Sequence, residues 1–374
     1  MTLFFKGIFA DQANAIQKML SRLKGNTIHK DMDKDFLFRT IQMLDALHAD
    51  IAKLSQSGDL AIPLLTSSNI VKYNTFMERL QTIELFRYLP IINYGDPEIY
   101  FKKKISRIYQ EINCLQKEPL ITTISNSDSY YWALPSYNII AVPAGEEKNL
   151  LNLPDLYHEI GHLIEMQYRS EFRNNFLPVL DGFYRDEEQR VVDEQRAPGL
   201  VAFYREKRVN WINGWIMEFT CDFIATFLVG PAYAYTNLKI CTLSSGKDRI
   251  YADFPSHPSD EARMRAIFYM LHQLGFDKEI GEIDGLWQEF LRHVNNPVPT
   301  NYAYIFPQKL IEALGQTVLK ACQTVDLRSY PDQLTKFNPP ISRILNDAWV
   351  EVLANDDQYK TWEEQRIGEI AGLL

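Results

Sequence analysis

Residues 157–162 read Tyr157-His158-Glu159-Ile160-Gly161-His162 and contain the pattern H-E-x-x-H. If this stretch is helical, His158 and His162 are four residues apart, so both imidazoles project from one face, one turn apart. Two ring nitrogens placed in this way can bind one metal ion. Glu159 lies about 100° around the helix, where its carboxylate can reach a water on the ion rather than the ion itself. The stretch therefore predicts a helix that carries a metal site.

The flanking residues support a helix at this position. Asn152 is suited to cap its start, with Pro154 and Asp155 in the first turn. Apolar side chains recur at helical spacing beside the face with the histidines, namely Leu153, Leu156, Ile160, Leu163 and Ile164. We therefore expect a buried helix whose polar residues are gathered at the site. Two hydrogen-bonded histidines on a partly exposed helix are the weaker interpretation.

A third metal ligand is expected from another part of the chain, because catalytic zinc usually has three protein ligands and a water. Residues 215–229 predict a helix that is apolar on almost all faces and hence buried. Glu218 and Asp222 are nevertheless placed in it, four apart and on one face. Two unpaired carboxylates there would cost several kcal/mol each. We assign Glu218 to the metal and expect Asp222 to accept the other ring N–H of His158 or His162.

Two alternatives to this assignment remain open. Both carboxylates could instead pair with arginines from the charge-rich residues 169–208. Glu165, three residues after His162, could be the third ligand, although it would have to bend towards the ion from the same helix. A third histidine does not follow the motif, since Tyr168 stands at that position, which disfavours a three-histidine metal site.

The segment 254–265 begins a further helix and supplies two more candidates. His257 comes just before the helix, followed by Pro258, and could donate a hydrogen bond to the oxyanion of a tetrahedral intermediate. Arg263 lies further into the helix and could anchor a carboxylate of the site. A simple surface cap at the His-Pro pair is the alternative interpretation.

The order of these motifs resembles the gluzincin metallopeptidases. It is most similar to the family of the HtpX membrane proteases, the CAAX prenyl proteases and their soluble relatives, over residues of about 120–275. The resemblance rests on three matching motifs: His158-Glu159-x-x-His162, Glu218-x-x-x-Asp222 and Ser256-His257-Pro258 with Arg263. The first and third thirds of the chain lie outside it.

That resemblance implies a role for each residue. His158, His162 and Glu218 would bind zinc, and Glu159 would be the general base. His257 and Arg263 would assist the transition state as catalytic residues, and Asp222 would support a ligand. The chain departs from the family in two respects, because membrane helices are not apparent and Asn138 is followed by Ile139 rather than by alanine on the presumed substrate strand.

The remaining sequence predicts a mainly α (α+β) protein with a zincin-like core. Three regions are expected: N-terminal helices over 1–118, the metallopeptidase core with a small sheet over 119–275, and C-terminal helices over 276–374. The segment 169–208 would be a charged insertion in the core. Helices are predicted in the last third at 259–274, 278–294, 306–323, 341–354 and 359–372.

Short β-prone segments at 120–124 and 137–142 predict strands ahead of the metal helix. The free edge of the second could pair with the backbone of an extended peptide and hold it over the metal. An ordinary core strand is the alternative for 137–142.

Composition limits the class of partner. The chain has 374 residues, 46 % of them hydrophobic, and a net charge of −9, which argues against a nucleic-acid partner. The four cysteines form no C-x-x-C pair, which favours a reducing cytoplasmic location. Uncharged apolar runs fall short of a membrane span, because Glu218 and Asp222 interrupt the most apolar window. The sequence leaves the oligomeric state open.

These features together predict a zinc-dependent metallopeptidase that binds one zinc ion and acts on a peptide or protein substrate. The first alternative is a regulatory or scaffold protein that binds zinc in the same site. The second is a zinc hydrolase acting on a non-peptide amide. A helical interaction protein in which H-E-x-x-H is accidental is a third, and it would bind no metal.

Overall fold

The computed structural model describes residues 2–25, 28–57, 62, 65–125, 130–197, 199–243 and 249–374. It is mainly helical, with 74 % of residues in helices and a small three-stranded mixed sheet, which confirms the predicted fold class. The chain divides into two compact units. One contains Met1–Lys102, Pro119–Tyr130 and Ala141–Gly145, and the other contains Lys103–Glu118, Tyr131–Ile140 and Glu146–Leu374. The division into three sequence regions remains a prediction.

The first unit is built on a helical hairpin. Helices α1 (Thr2–Leu23) and α2 (Lys34–Gln56) pack together, and α3 (Thr66–Ile83) joins them. Asp33 caps α2 by accepting hydrogen bonds from the backbone N–H groups of Asp35 and Phe36. A π-helical turn, Glu84–Tyr88, leads into α4 (Leu89–Ile92), and α5 (Asp96–Glu111) follows.

The sheet has the strand order β1-β3-β2, with β1 Leu120–Ser125, β2 Trp132–Leu134 and β3 Ile139–Pro143. β3 is therefore the central strand, hydrogen-bonded on both sides, and all five of its residues are buried. The prediction that 137–142 offers a free edge to a substrate is wrong, because both edges are already paired. The alternative of an ordinary core strand holds instead.

The second unit is organised around one buried helix, α9 (Ile216–Val229), which continues from a π-helical turn at Trp211–Trp215. α9 packs against α6 (Asp155–Gln167), α11 (Asp260–Gln273) and α14 (Gln308–Thr324). Twelve of its 14 residues are buried, as its apolar sequence predicts. The other α-helices described in this unit are α7 (Arg173–Asp193), α8 (Gly199–Asn210), α10 (Pro231–Leu243), α12 (Asp277–Val294), α13 (Tyr302–Ile305), α15 (Tyr330–Lys336), α16 (Ile341–Ala354) and α17 (Asp356–Leu373).

Helix α6 begins without the predicted side-chain cap. Pro154 occupies the cap position, and no side chain accepts a hydrogen bond from the first turn. The amide of Asn152 is engaged elsewhere, since it donates to Glu146 at 2.7 Å and accepts from Lys239 at 2.6 Å. The prediction of an Asn152 cap is wrong, because these two charged partners compete successfully for its side chain.

One described stretch, Gly199–Val229, is long and apolar enough to cross a membrane by length and composition. Its most apolar window is 72 % buried inside the fold. Buried core helices of water-soluble proteins have the same length and composition, so this stretch is weak evidence for a span.

Candidate metal centre

The two helices that carry the predicted ligands cross in close contact at Gly161. A Cβ atom at this position would lie 3.1 Å from Cα of Cys221 and 3.3 Å from its Cβ. These distances are shorter than the ordinary contact between carbon atoms, about 3.5–4.0 Å. The glycine inside the H-E-x-x-H motif therefore lets α9 approach the backbone of α6.

Glu218 lies between the two imidazoles. One of its carboxylate oxygens is 3.5 Å from Nε2 of His158, and the other is 3.8 Å from Nε2 of His162. The histidine rings face each other edge to face, with their centroids 4.9 Å apart. The structure thus brings together the three residues predicted as metal ligands, all of them largely buried.

Asp222, one turn after Glu218, lies on the other side of His158. Its Oδ1 is 3.0 Å from Nδ1 of His158. Arg263 donates two hydrogen bonds to this carboxylate, from Nε at 2.8 Å and from Nη2 at 2.7 Å. Glu218 faces histidines, and Asp222 is paired with an arginine of α11. The alternative in which both carboxylates pair with arginines of 169–208 is therefore wrong.

Tyr233 of α10 completes this group and was absent from the sequence prediction. Its hydroxyl donates to Asp222 Oδ1 at 2.5 Å and lies 3.0 Å from Nδ1 of His158. The chain reverses after α9 at Gly230, whose φ of +69° is in the left-handed region. That reversal brings the start of α10 back beside Asp222.

The charges of the cluster shift the pKa values of the proposed ligands in different directions. Burial alone would raise the pKa of Glu218, but hydrogen bonding to His158 and the nearby positive charges lower it to about 2. Burial would lower the pKa of His158, yet its hydrogen bonds to Asp222 and Glu218 raise it to about 10. Burial and the charge of His158 lower the pKa of His162 to about 4. Glu218 is therefore anionic and His162 is neutral at pH 7, as metal ligands must be, whereas His158 is protonated and must release a proton before it can bind a metal.

Glu159 is buried beside the ligands, with 6 % of its surface exposed. Burial raises the pKa of its carboxyl to about 8, although the charge of His158 acts in the opposite direction. Asp155, one turn earlier on α6, is also buried, and its pKa is raised to about 6 by burial. A carboxyl whose pKa lies near neutrality is suited to accepting and returning a proton.

Cys221 is a further candidate ligand that sequence reasoning missed. Donor atoms of His158, His162 and Cys221 all lie within 4.8 Å of one another, so this buried cluster could hold a metal ion. Burial raises the pKa of the Cys221 thiol well above its usual value. A thiolate at this position would thus form only with a cation in place.

Glu165, the competing third ligand, is buried on the same helix but has different partners. Burial raises the pKa of its carboxyl, and the charges of Arg173 and Arg169 act in the opposite direction. It therefore remains the weaker candidate for the metal.

His257 and Arg263 line one pocket of 370 Å³, together with Arg249, Phe254, Pro255, Ser256, Pro258 and Asp260. His257 is exposed, and its Nδ1 lies 3.0 Å from Oγ of Ser256. The helix after it begins two residues later than the His-Pro pair, with Ser259 as the capping residue. The alternative in which the His-Pro pair itself caps the helix is therefore wrong.

The loop that carries His257 is fixed against the π-helical turn at Trp211–Trp215. Trp215 Nε1 donates to the carbonyl oxygen of Phe254 at 2.7 Å. A Cβ at Gly214 would lie 2.7 Å from the carbonyl oxygen of Pro255, so only glycine permits this approach. The π-helical turn leads directly into α9, which couples the position of the His257 loop to that of Glu218.

His158, His162 and Glu218 could together hold one metal ion. Tetrahedral ligands at zinc–nitrogen and zinc–oxygen bond lengths are about 3.3 Å apart. The carboxylate of Glu218 is 3.5 and 3.8 Å from the two Nε2 atoms. A supporting carboxylate on the other nitrogen of His158 is also a regular feature of zinc sites. Nitrogen donors with one carboxylate suit zinc better than calcium or magnesium, which prefer oxygen ligands.

Comparison with known proteins finds no relative of this chain. No protein-family model matches the chain, and neither a curated protein nor a solved structure matches it.

Proposed function

We propose that this protein is a zinc-dependent metallopeptidase in which His158, His162 and Glu218 hold the ion and Glu159 is the general base. The observation that carries the proposal is the position of Glu218, whose two carboxylate oxygens each face one imidazole Nε2 at 3.5 and 3.8 Å. A buried carboxylate is costly without a counter-charge. Here the charge of His158 stabilises it, and a dication shared with the two imidazoles would take over that role.

Glu218 is preferred to Cys221 as the third ligand for two reasons. Its carboxylate is already anionic, since its pKa is lowered to about 2, whereas the Cys221 thiol has a raised pKa. It also lies on the Nε2 side of both histidines. Cys221 instead packs where α9 crosses Gly161.

The reaction assigned to the site is hydrolysis of a peptide bond. A zinc ion supplies polarisation of the scissile carbonyl and makes a water more acidic. Glu159 takes the proton from the attacking water and returns it to the leaving amine. Burial raises the pKa of Glu159 to about 8, and the charge of a bound cation would lower it towards neutrality, where the group can both accept and release a proton.

The pocket that contains His257 and Arg263 supports a place for the substrate beside the ligands. Arg263 connects the two, because it lines the pocket and also donates to Asp222. His257 is exposed there and can donate a hydrogen bond to a developing oxyanion. Arg263 is occupied by Asp222, so we assign it to holding that carboxylate in place.

The test compares Glu159→Gln with the wild type. Purified protein should contain about one zinc per chain. Glu159→Gln should keep the zinc and lose cleavage of a mixed peptide library, because the amide cannot take a proton. Glu165→Gln, on the same helix, is the matched control and should remain active.

Two results would contradict the proposal. Folded protein without zinc after purification in chelator-free buffer would remove the metal site. Cleavage by Glu159→Gln at the wild-type rate would remove Glu159 as the base.

A further inference from the structure

Tyr233 is a buried residue that joins the parts of the site and has no counterpart in the motifs. It is 0 % exposed, and its ring lies nearly parallel to that of His158, at 15° with centroids 6.1 Å apart. Its hydroxyl is within hydrogen-bond distance of both Asp222 Oδ1, at 2.5 Å, and His158 Nδ1, at 3.0 Å. The position of its single hydrogen therefore matters for the histidine.

The hydroxyl hydrogen points to Asp222. A carboxylate can only accept, and the shorter distance is the one to Asp222. The tyrosine oxygen then faces Nδ1 of His158 with its lone pairs. Both oxygens next to Nδ1, from Tyr233 and from Asp222, are acceptors, so the hydrogen of the imidazole is held on Nδ1. Nε2, which faces Glu218, is then the nitrogen that can bind a metal once its own proton has been released.

The carboxylate of Asp222 also binds a residue other than His158 and Tyr233. Arg263 binds both of its oxygens, at 2.7 and 2.8 Å, and also lies 3.4 Å from the hydroxyl of Tyr233. The tyrosine hydroxyl is a second acceptor for Nδ1, beside Oδ1 of Asp222. The tyrosine ring, which is nearly parallel to the imidazole, helps to hold the imidazole in its orientation. Without the hydroxyl, Nδ1 would depend on a carboxylate that Arg263 also attracts.

We propose that Tyr233 is a positioning residue that, together with Asp222, keeps a hydrogen on Nδ1 of His158 and turns Nε2 towards the metal. The inference rests on the proposed zinc site. It assigns to α10 a part in metal binding that the motifs on α6, α9 and α11 do not contain.

The test is Tyr233→Phe, with zinc affinity measured by competition against a chromophoric chelator. Loss of a group that orients a metal-binding histidine typically lowers affinity about 10–100-fold, and we expect at least about tenfold here. Tyr157→Phe is the matched control. Tyr157 is equally buried, and its hydroxyl has no hydrogen-bond partner among the described residues, so its removal should leave zinc affinity within about twofold.

A second readout separates positioning from packing. In protein labelled with ¹⁵N-histidine, with His158 assigned by His158→Gln, the hydrogen on Nδ1 should give a slowly exchanging signal. Tyr233→Phe should speed up its exchange with solvent, and Tyr157→Phe should not. If Tyr233→Phe fails to fold, the wild type decides alone, because a hydrogen on Nε2 but not on Nδ1 of His158 would overturn the proposal.

Unchanged zinc affinity together with an unchanged Nδ1 signal in folded Tyr233→Phe would reduce Tyr233 to a packing residue. A wild type that binds no zinc would instead refute the proposed function. The Nδ1 signal of the zinc-free protein would still test the role of Tyr233, so the two failures can be told apart.

Discussion

Replacing Glu218 with glutamine should abolish most of the zinc affinity while leaving the fold in place. The amide has the same shape as the carboxylate but no charge. The positive charges around Glu218 lower its pKa from 4.5 to about 2 against the effect of burial. That fall corresponds to about 3 kcal/mol of net attraction. A dication at the same place is attracted at least as strongly, so we expect zinc affinity to fall about a hundredfold or more.

Zinc affinity would be measured at pH 7 by competition with a chelator of known affinity, and folding would be checked by circular dichroism. Two variants serve as controls. Glu165→Gln removes a buried carboxylate of α6 that is surrounded by arginine charge, and Cys221→Ala removes the competing donor. Both should bind zinc within about threefold of the wild type if Glu218 is the third ligand.

The order of the three effects decides the ligand. A large loss in Cys221→Ala with near-normal binding in Glu218→Gln would make the cluster of His158, His162 and Cys221 the metal site. A large loss in Glu165→Gln would move the ligand to α6. Equal zinc affinity in all three variants would refute the reasoning that Glu218 binds the ion.

Two other outcomes follow from the same site. Gly161→Ala should destabilise the protein by about 1–3 kcal/mol and weaken zinc binding, because the new methyl group would lie 3.1 Å from Cα of Cys221 and push α9 away. Urea unfolding measures the change in stability. Gly182→Ala is the control and should not be destabilised, because the space around Gly182 is open. Zinc affinity should rise with pH, by about tenfold per unit between pH 6 and 8. The reason is that His158, whose pKa is raised to about 10, must release the proton on Nε2 to solvent before this nitrogen can bind the metal. A pH-independent affinity in titrations would contradict this.

The sequence predicted the helices of this protein well where one face is apolar. The helix predicted at 341–354 is observed as Ile341–Ala354, and 278–294 is observed as Asp277–Val294. α10 was missed, since its apolar residues are spread over all faces and the helical period is hidden. β2 was missed because three residues are too short for a pattern.

The same distinction applies to the site. Local spacing was sufficient to select His158, His162, Glu218 and Asp222, because a four-residue separation on a helix is a geometric property of the chain itself. The buried carboxylates were recognisable because charge in an apolar helix is expensive.

The tertiary structure decided between the partners that the sequence had left open for these residues, and it added Tyr233 to them. That Asp222 binds Arg263 and Tyr233, rather than arginines of 169–208, depends on how α9 is packed against α10 and α11. The close crossing at Gly161 likewise brings Cys221 to the histidines. Sequence spacing specifies which side chains share a helix face. Which faces meet depends on the packing of helices far apart in the chain, and no local pattern contains that information.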